Sequence, residues 1–254
     1  MHRGAWQLLG CAIVIAGIFL FAPRAKKAEP RYKELSVEEI VVAGGIVRNR
    51  DWVLERSMDA IMAQTFPPEY LYYLTNDNED RTEEILQNYL AATYDVWNTG
   101  YPGYERTGAI RYSSENMGML RNRWIQKHKN ATHWWIVDSD VIPNPDVLER
   151  LLALDKPCAG AWVPGCTPNA GWNEVQHRPS RTGAEHTLSG PFRATMLGGS
   201  YLLRRDFVED VGWEPWGKHP QGEDGYLATL AHDRGWEMWA DPDAKCQHIM
   251  KRDR

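Results

Sequence analysis

His133-Trp134-Trp135-Ile136-Val137-Asp138-Ser139-Asp140 is the stretch that decides the fold of this chain. Its apolar half, His133 to Val137, reads as a buried strand. The strand stops in two carboxylates one residue apart. Two ionised acids at the end of a hydrophobic strand repel each other and lose hydration unless a cation or a donor-rich ligand lies between them. Oxygen ligands so spaced suit Mg2+ or Mn2+ bridging to a diphosphate. The same tripeptide also suits a solvated turn before Pro143, so its surroundings must decide.

Upstream, Glu39 to Ala43 is a short apolar strand that ends at Gly44-Gly45. Trp52 to Gln64 has helical spacing, Tyr70 to Leu74 is an aromatic strand, and Thr82 to Leu90 and Met119 to Lys129 read as helices. Downstream, Asp146 to Leu154 is a helix that follows the Pro143 and Pro145 breaks. This alternation predicts an α/β fold with a mainly parallel sheet. Ligands of such sheets bind beyond the carboxyl ends of the strands. Cys158 to Gly190 is rich in Gly, Pro and Trp and reads as loops and short strands. Thr195 to Leu203 is a strand interrupted by two glycines, Gly225 to Arg234 a helix, and Trp236 to Ala240 a last strand.

The chain has 254 residues, enough for one large core without disulfide staples. Four of its 29 basic residues and none of its 34 acidic ones lie in residues 1–27, so the remainder carries a net −9 against −5 for the whole. A body that acidic is a poor match for a phosphate backbone, which excludes nucleic acid as main partner. Of the four cysteines, Cys11 lies in the N-terminal apolar run. The other three form no C-x-x-C pair and no disulfide framework. Residues 5–22 approach the length of a membrane span, and a single N-terminal anchor is expected there, with a cleaved signal, and then a misassigned start or peripheral helix, as rivals. Arg24, Lys26 and Lys27 outnumber Arg3, which favours a cytoplasmic catalytic body, with a lumenal or secreted one left open. The chain divides into an anchor and linker, 1–32, and a folded domain, 33–254.

Polar clusters follow the expected strands. Asn76-Asp77-Asn78-Glu79-Asp80 comes directly after YLYYL, where a nucleoside could be read; Asn78 or Asp80 could equally cap the next helix. Asn116, Gly118, Arg121 and Asn122 precede the Asp138 strand, and an arginine there could neutralise phosphate or pair on the surface. Glu223-Asp224 opens a helix, either as dipole partners or with one acid as a general base. His248 lies past the final strand, and a neutral imidazole is a good metal ligand.

In this order, Asn49 after the first strand, the Asn/Asp cluster, Asn-x-Gly with Arg-Asn, Asp-Ser-Asp, Gly198-Gly199, Glu223-Asp224 and a late histidine resemble the GT-A glycosyltransferases, and most closely glycosyltransferase family 2. The resemblance runs from about Glu38 to His248. It implies a Rossmann-like GT-A domain with a nucleotide-sugar half at about 33–155 and an acceptor half at about 156–254. It implies that Asn49, Asp77, Arg121, Asp138, Asp140, Gly198 and Gly199 hold the donor. Asp138, Asp140 and His248 would bind Mn2+ or Mg2+, and Asp224, beside Glu223, would be the catalytic base. The cluster after the second strand is one residue shorter than the family's pattern, so Asn76 or Asp77 is the equivalent position. The implied reaction moves a sugar from a nucleotide-diphosphate donor to a hydroxyl on a carbohydrate, lipid or protein, with inversion.

Two other classes remain open: a metal-dependent nucleotidyltransferase, and a non-catalytic nucleotide- or carbohydrate-binding domain. The first should carry a Gly-rich phosphate loop with a lysine, and Gly44-Gly45 has no nearby lysine. Tryptophan is unusually frequent, 12 against 5 Phe. Trp134, Trp135, Trp236 and Trp239 belong to expected strands and suit the core. Trp162, Trp172, Trp213 and Trp216 fall in Gly- and Pro-rich stretches and suit an acceptor platform.

Overall fold

The computed structural model describes residues 38–98, 110–165, 169–170, 190–211 and 222–249. The expected N-terminal anchor, most of the 164–191 loop, and Trp172, Trp213 and Trp216 lie outside the described residues. Among the described residues no helix is long and apolar enough to cross a membrane.

The elements follow in the order β1 (Val41–Val47), α1 (Leu54–Met62), β2 (Tyr70–Thr75), α2 (Thr82–Asn88), β3 (Ala92–Val96), α3 (Ile110–Gln126), β4 (His133–Val137), β5 (Val141–Pro143), α4 (Val147–Ala153), β6 (Cys158–Trp162), β7 (Asn169–Ala170), β8 (Phe192–Met196), β9 (Ser200–Arg204), α5 (Arg205–Asp210), α6 (Gly222–Asp233) and β10 (Met238–His248). The sheet runs β3-β2-β1-β4-β9-β6-β10-β8-β7, with β5 paired to β10. Strands β3, β2, β1 and β4 are mutually parallel. Strand β9 runs against both β4 and β6, and β10 is parallel to β6. So β1, β2, β3, β4, β6 and β10 all point one way, as a mainly parallel sheet requires, and β9 returns between them.

Strand periodicity sorts the side chains onto two faces. Val41, Ala43, Tyr73, Trp135 and Val137 face α1, α2 and α4, packing against Leu54, Met58, Ile61, Leu86, Leu148 and Leu151. Val42, Tyr72, Leu74, Trp134 and Ile136 face the other way, against Leu120 and Trp124 of α3, Phe207 of α5 and Leu227 of α6. The adjacent Trp134 and Trp135 therefore serve different cores. Each fully buried side chain of this size contributes about 1.5–3 kcal/mol. Trp135 also donates its Nε1 proton to Ser200 Oγ at 3.1 Å, tying β4 to β9. Trp236 and Trp239 are only half-buried.

Several expected boundaries move. Gly44-Gly45 does not end β1 but lies inside it. Gly44 adopts φ +120°, and a Cβ there would overlap the carbonyl oxygen of Tyr72 on β2, which also accepts the Trp124 Nε1 proton at 2.8 Å. The glycine permits the close approach of β1 and β2. Strand β3 escaped the sequence pattern, β6 opens the stretch expected to hold loops and short strands, and α3 starts nine residues before Met119. The expected Gly-interrupted strand is two strands, β8 and β9, and β10 runs on to His248.

Gly44→Ala should lower stability by at least about 2 kcal/mol, combining left-handed backbone strain with the clash against Tyr72. Urea denaturation checks it through the midpoint. A change within about 0.5 kcal/mol would show that β1 and β2 can separate to admit a methyl group.

Candidate active site

All the aligned strands deliver their carboxyl ends to one edge of the sheet. β1 ends into Arg48-Asn49-Arg50, β2 into residues 76–80, β4 into Asp138-Ser139-Asp140, and β10 in His248. The reversed β9 starts from the same edge, just after Gly198-Gly199.

The loops after β1 and β2 are sewn together by side chains. Asn49 N–H donates to Asn78 Oδ1 (2.9 Å), and Asn49 Oδ1 accepts from the Glu79 N–H (2.8 Å). Asp51 N–H donates to Asp80 Oδ2 (3.0 Å), and Arg48 Nε to the Asp77 carbonyl (3.1 Å). Asp77 N–H in turn donates to Asn98 Oδ1 at 2.8 Å. Asn49 and Asp77 both sit in the left-handed region, at φ 52° and 44°. Asn and Asp tolerate that conformation better than other L-residues, and strain of this kind gathers at binding loops. Asp80 accepts from the Thr82 N–H at 2.9 Å, so it serves the start of α2. Asn78 serves the Asn49 loop.

The Asp138–Val141 turn is held from both sides. Val141 N–H closes it onto the Asp138 carbonyl (2.8 Å), and Asp138 N–H donates to the Gly199 carbonyl (2.8 Å). Gly199 takes φ 76°, the conformation that glycine adopts without strain. β5 pairs with the end of β10, placing His248 opposite Val141, and Ile249 N–H donates to the Asp140 carbonyl at 2.8 Å. That pairing brings His248 Nε2 to 3.7 Å from Asp140 Oδ1. The His248 Nδ1 lies 3.0 Å from the Pro164 carbonyl. A carbonyl only accepts, so Nδ1 carries a proton, and Nε2 is the nitrogen turned toward Asp140.

Behind this turn lies an ion cluster. Arg121, 4% exposed on α3, reaches Glu223 Oε1 at 3.3 Å, Asp138 Oδ1 at 3.5 Å and Asp224 Oδ1 at 3.8 Å. Its Nη1 donates to the Tyr201 hydroxyl at 2.9 Å, which donates to Asp224 Oδ1 at 2.9 Å. One guanidinium thus faces three carboxylates. Burial alone would lower the Arg121 pKa, but Tyr201, Asp224, Glu223 and Asp138 hold it well above its ordinary value. Burial raises Asp138, against the pull of Arg121. Burial also pushes Asp224 up to about 7; Arg121 opposes the shift and the neighbouring Glu223 and Asp138 add to it. A carboxylate poised there suits a general base at neutral pH.

The structure brings together Asn49 with the 76–80 loop, Asp140 with His248, and Arg121 with Asp138, Glu223 and Asp224. It does not assemble the expected three-ligand metal set: Asp138 turns to Arg121, and among the described residues no group of three His, Cys, Asp or Glu side chains is placed to hold a metal ion. Arg121 lies beneath the carboxylates rather than in the open, because its charge is taken up by them. Asn116 belongs to α3, and Trp162 is half-buried at the end of β6, on the active edge. Sequence reasoning missed two residues. Arg50 donates from Nε to Asp140 Oδ2 (3.2 Å) and from Nη1 to the Arg48 and Asn49 carbonyls (both 3.2 Å), linking the two loops. Its position next to Asn49 was the available signal. Tyr201 carried none, since an aromatic residue in a strand normally signals core.

A family model described as "Glycosyltransferase like family 2" matches residues 41–253. Among solved structures, GalNAc-T7 with UDP, GalNAc and Mn2+ superposes with TM-score 0.59 at 17% identity, over 84% of this chain and 44% of that one. TarS residues 1–349 from S. aureus in complex with UDP-GlcNAc gives 0.57 at 15% identity, over 85% and 60%. The chain therefore spans less than two thirds of either relative. At these identities the likeness is one of fold, the GT-A type. A search of curated protein sequences returns no significant match.

The ion cluster predicts a pH-dependent stability. The ordinary pKa of an aspartate is about 3.9, and Asp224 sits at about 7 in the folded protein. Between those values the folded state binds the extra proton, so stability falls as pH rises through the window and the loss is complete above it. Asp224→Asn removes that loss. Its melting temperature should exceed that of the wild type by a margin that widens from pH about 5 to about 8. A margin constant with pH, followed by differential scanning fluorimetry, contradicts the raised value.

Proposed function

The chain belongs to glycosyltransferase-like family 2, and on that premise we propose that it moves a sugar from a nucleotide-diphosphate donor to an acceptor hydroxyl, with a divalent cation and with inversion at the anomeric carbon. The observation that carries the proposal is convergence. Asn49, Asp77, Asp138, Asp140, Gly199, Asp224 and His248, spread over most of the sequence, meet at one carboxyl edge.

The strained loops of Asn49 and Asp77 would read the nucleoside, since they close over the ends of β1 and β2. Asp140 and His248 would hold the cation. Their oxygen and imidazole donors suit Mn2+ or Mg2+, the 3.7 Å between them lets both reach one ion, and the backbone carbonyl on Nδ1 is the usual outer partner of a metal-binding histidine. When bound, such a cation supplies charge neutralisation for the departing nucleoside diphosphate. Arg50 holds Asp140 in place from the nucleotide side.

Asp224 takes the proton of the acceptor hydroxyl. Its raised pKa keeps it basic enough to do so, and about a fifth of its side-chain surface (22%) stays exposed. Arg121 holds Glu223 (3.3 Å) and Asp138 (3.5 Å) more closely than Asp224 (3.8 Å), which makes Asp224 the base of the three and favours direct displacement over a covalent intermediate. The GalNAc-T7 and TarS structures hold UDP or a UDP-sugar, which makes uridine nucleotides the first to try.

A panel of nucleotide sugars, assayed with Mn2+ and with Mg2+ for donor hydrolysis and transfer, tests the proposal. One donor should turn over in a cation-dependent way. Asp140→Asn should abolish that turnover. Asp224→Asn should lower kcat by about 100-fold or more with donor binding retained. No thermal shift with any nucleotide plus Mn2+, and no turnover of any donor, would sink the transferase reading. Wild-type rates in Asp140→Asn would remove Asp140 from the cation site.

A further inference from the structure

We propose that Tyr201 is a positioning residue for the base, holding the Asp224 carboxylate between its own hydroxyl and the Arg121 guanidinium. The role assigned to Asp224 rests on the transferase reading; the way it is held rests on geometry alone.

Tyr201 lies in β9, opposite Ile136 of β4 and Gly160 of β6, and is 1% exposed. A phenol buried there needs hydrogen-bond partners. It has one on each side. The guanidinium can only donate, so the hydroxyl oxygen must accept from Arg121 Nη1 at 2.9 Å. Its single proton is then committed to Asp224 Oδ1, also at 2.9 Å. Packing alone would be served equally well by phenylalanine; the hydroxyl is there for the two charges.

Two consequences follow for Asp224. Oδ1 is engaged by the phenol and faces the guanidinium at 3.8 Å, so the carboxylate is fixed in rotation and the acceptor proton falls to Oδ2. The ionised form is also favoured. Asp224 is faced by Arg121 from α3, Asp138 from the end of β4, Glu223 from its own helix, Tyr201 from β9 and the Cys158 thiol from β6. Burial, Glu223 and Asp138 keep the proton on Asp224; Arg121 and the Tyr201 hydrogen bond take it off. Without the hydroxyl, Asp224 holds its proton to higher pH.

The test uses wild type, Tyr201→Phe, Asp224→Asn and the double variant. Tyr201→Phe should move the acid limb of kcat/KM up by about one pH unit and lower kcat at neutral pH about tenfold, with the donor KM within about twofold of wild type. In substrate-free protein, Tyr201→Phe should melt below wild type by a gap that widens as pH rises past about 7. That pH-dependent part should vanish in the Asp224→Asn background, where only lost packing remains. A gap independent of pH and equal in both backgrounds, or an acid limb that stays in place, would overturn the proposal. The melting comparison needs no donor, so it separates the Tyr201–Asp224 linkage from the transferase reading. Wild-type protein that turns over no nucleotide sugar would overturn the base role and leave that linkage a matter of stability.

Discussion

One buried guanidinium organises the active edge. Arg121 projects from α3 into a space where Asp138 arrives from β4, Tyr201 from β9, and Glu223 and Asp224 from α6. Removing one member of a buried ion pair typically costs about 3–5 kcal/mol, because its partner stays buried and uncompensated. Arg121 is itself buried and its three partners are half-buried, so α3, β4 and α6 meet at a single positive charge. The balance is also incomplete. Three carboxylates against one cation leave a negative surplus; burial is the main cause of the raised Asp138 and Asp224 values, and repulsion between the carboxylates adds to it. Stability is given up to keep three carboxylates at one place, the relation expected between a functional site and its scaffold.

The sheet explains why the carboxylates can be assembled at all. Strands that point the same way release their chains at one edge, so motifs far apart in sequence become neighbours. The reversed β9 adds a backbone entering from that edge, and its Gly199 carbonyl accepts the Asp138 N–H. β5 and β10 complete the arrangement by pinning Asp140 beside His248. The two halves of the Asp138-Ser139-Asp140 motif consequently do different things: Asp138 belongs to the Arg121 cluster, and Asp140 faces Arg50 and His248.

Much of this was legible in the sequence. The buried strand before Asp138 has the bounds expected, and α1, α2, α4, β1 and β2 differ by a few residues at their ends, because alternation and helical spacing report directly on which face is buried. β3 escaped because Ala92–Val96 is a half-exposed edge strand with polar residues between its apolar ones. Gly44-Gly45 was mistaken for a strand end because glycine usually punctuates structure; here it lets two strands approach. The order of the polar motifs pointed to the edge as a whole. Their pairing did not show, since Arg121 and Tyr201 are 80 residues apart and Arg50 and Asp140 are 90 apart. Contacts of that kind leave no local pattern, which is why Arg121 looked like a phosphate contact and Tyr201 like core.

The central claim is that this edge binds a nucleoside diphosphate through a cation at Asp140 and His248. Crystals grown with UDP and Mn2+, measured at the manganese absorption edge, test it most directly. An anomalous peak should lie within ligand distance, about 2.0–2.3 Å, of an Asp140 carboxylate oxygen and His248 Nε2, with the diphosphate against it and the nucleoside at the Asn49 and Asp77 loops. A nucleotide bound elsewhere, or a manganese peak away from Asp140, would contradict it.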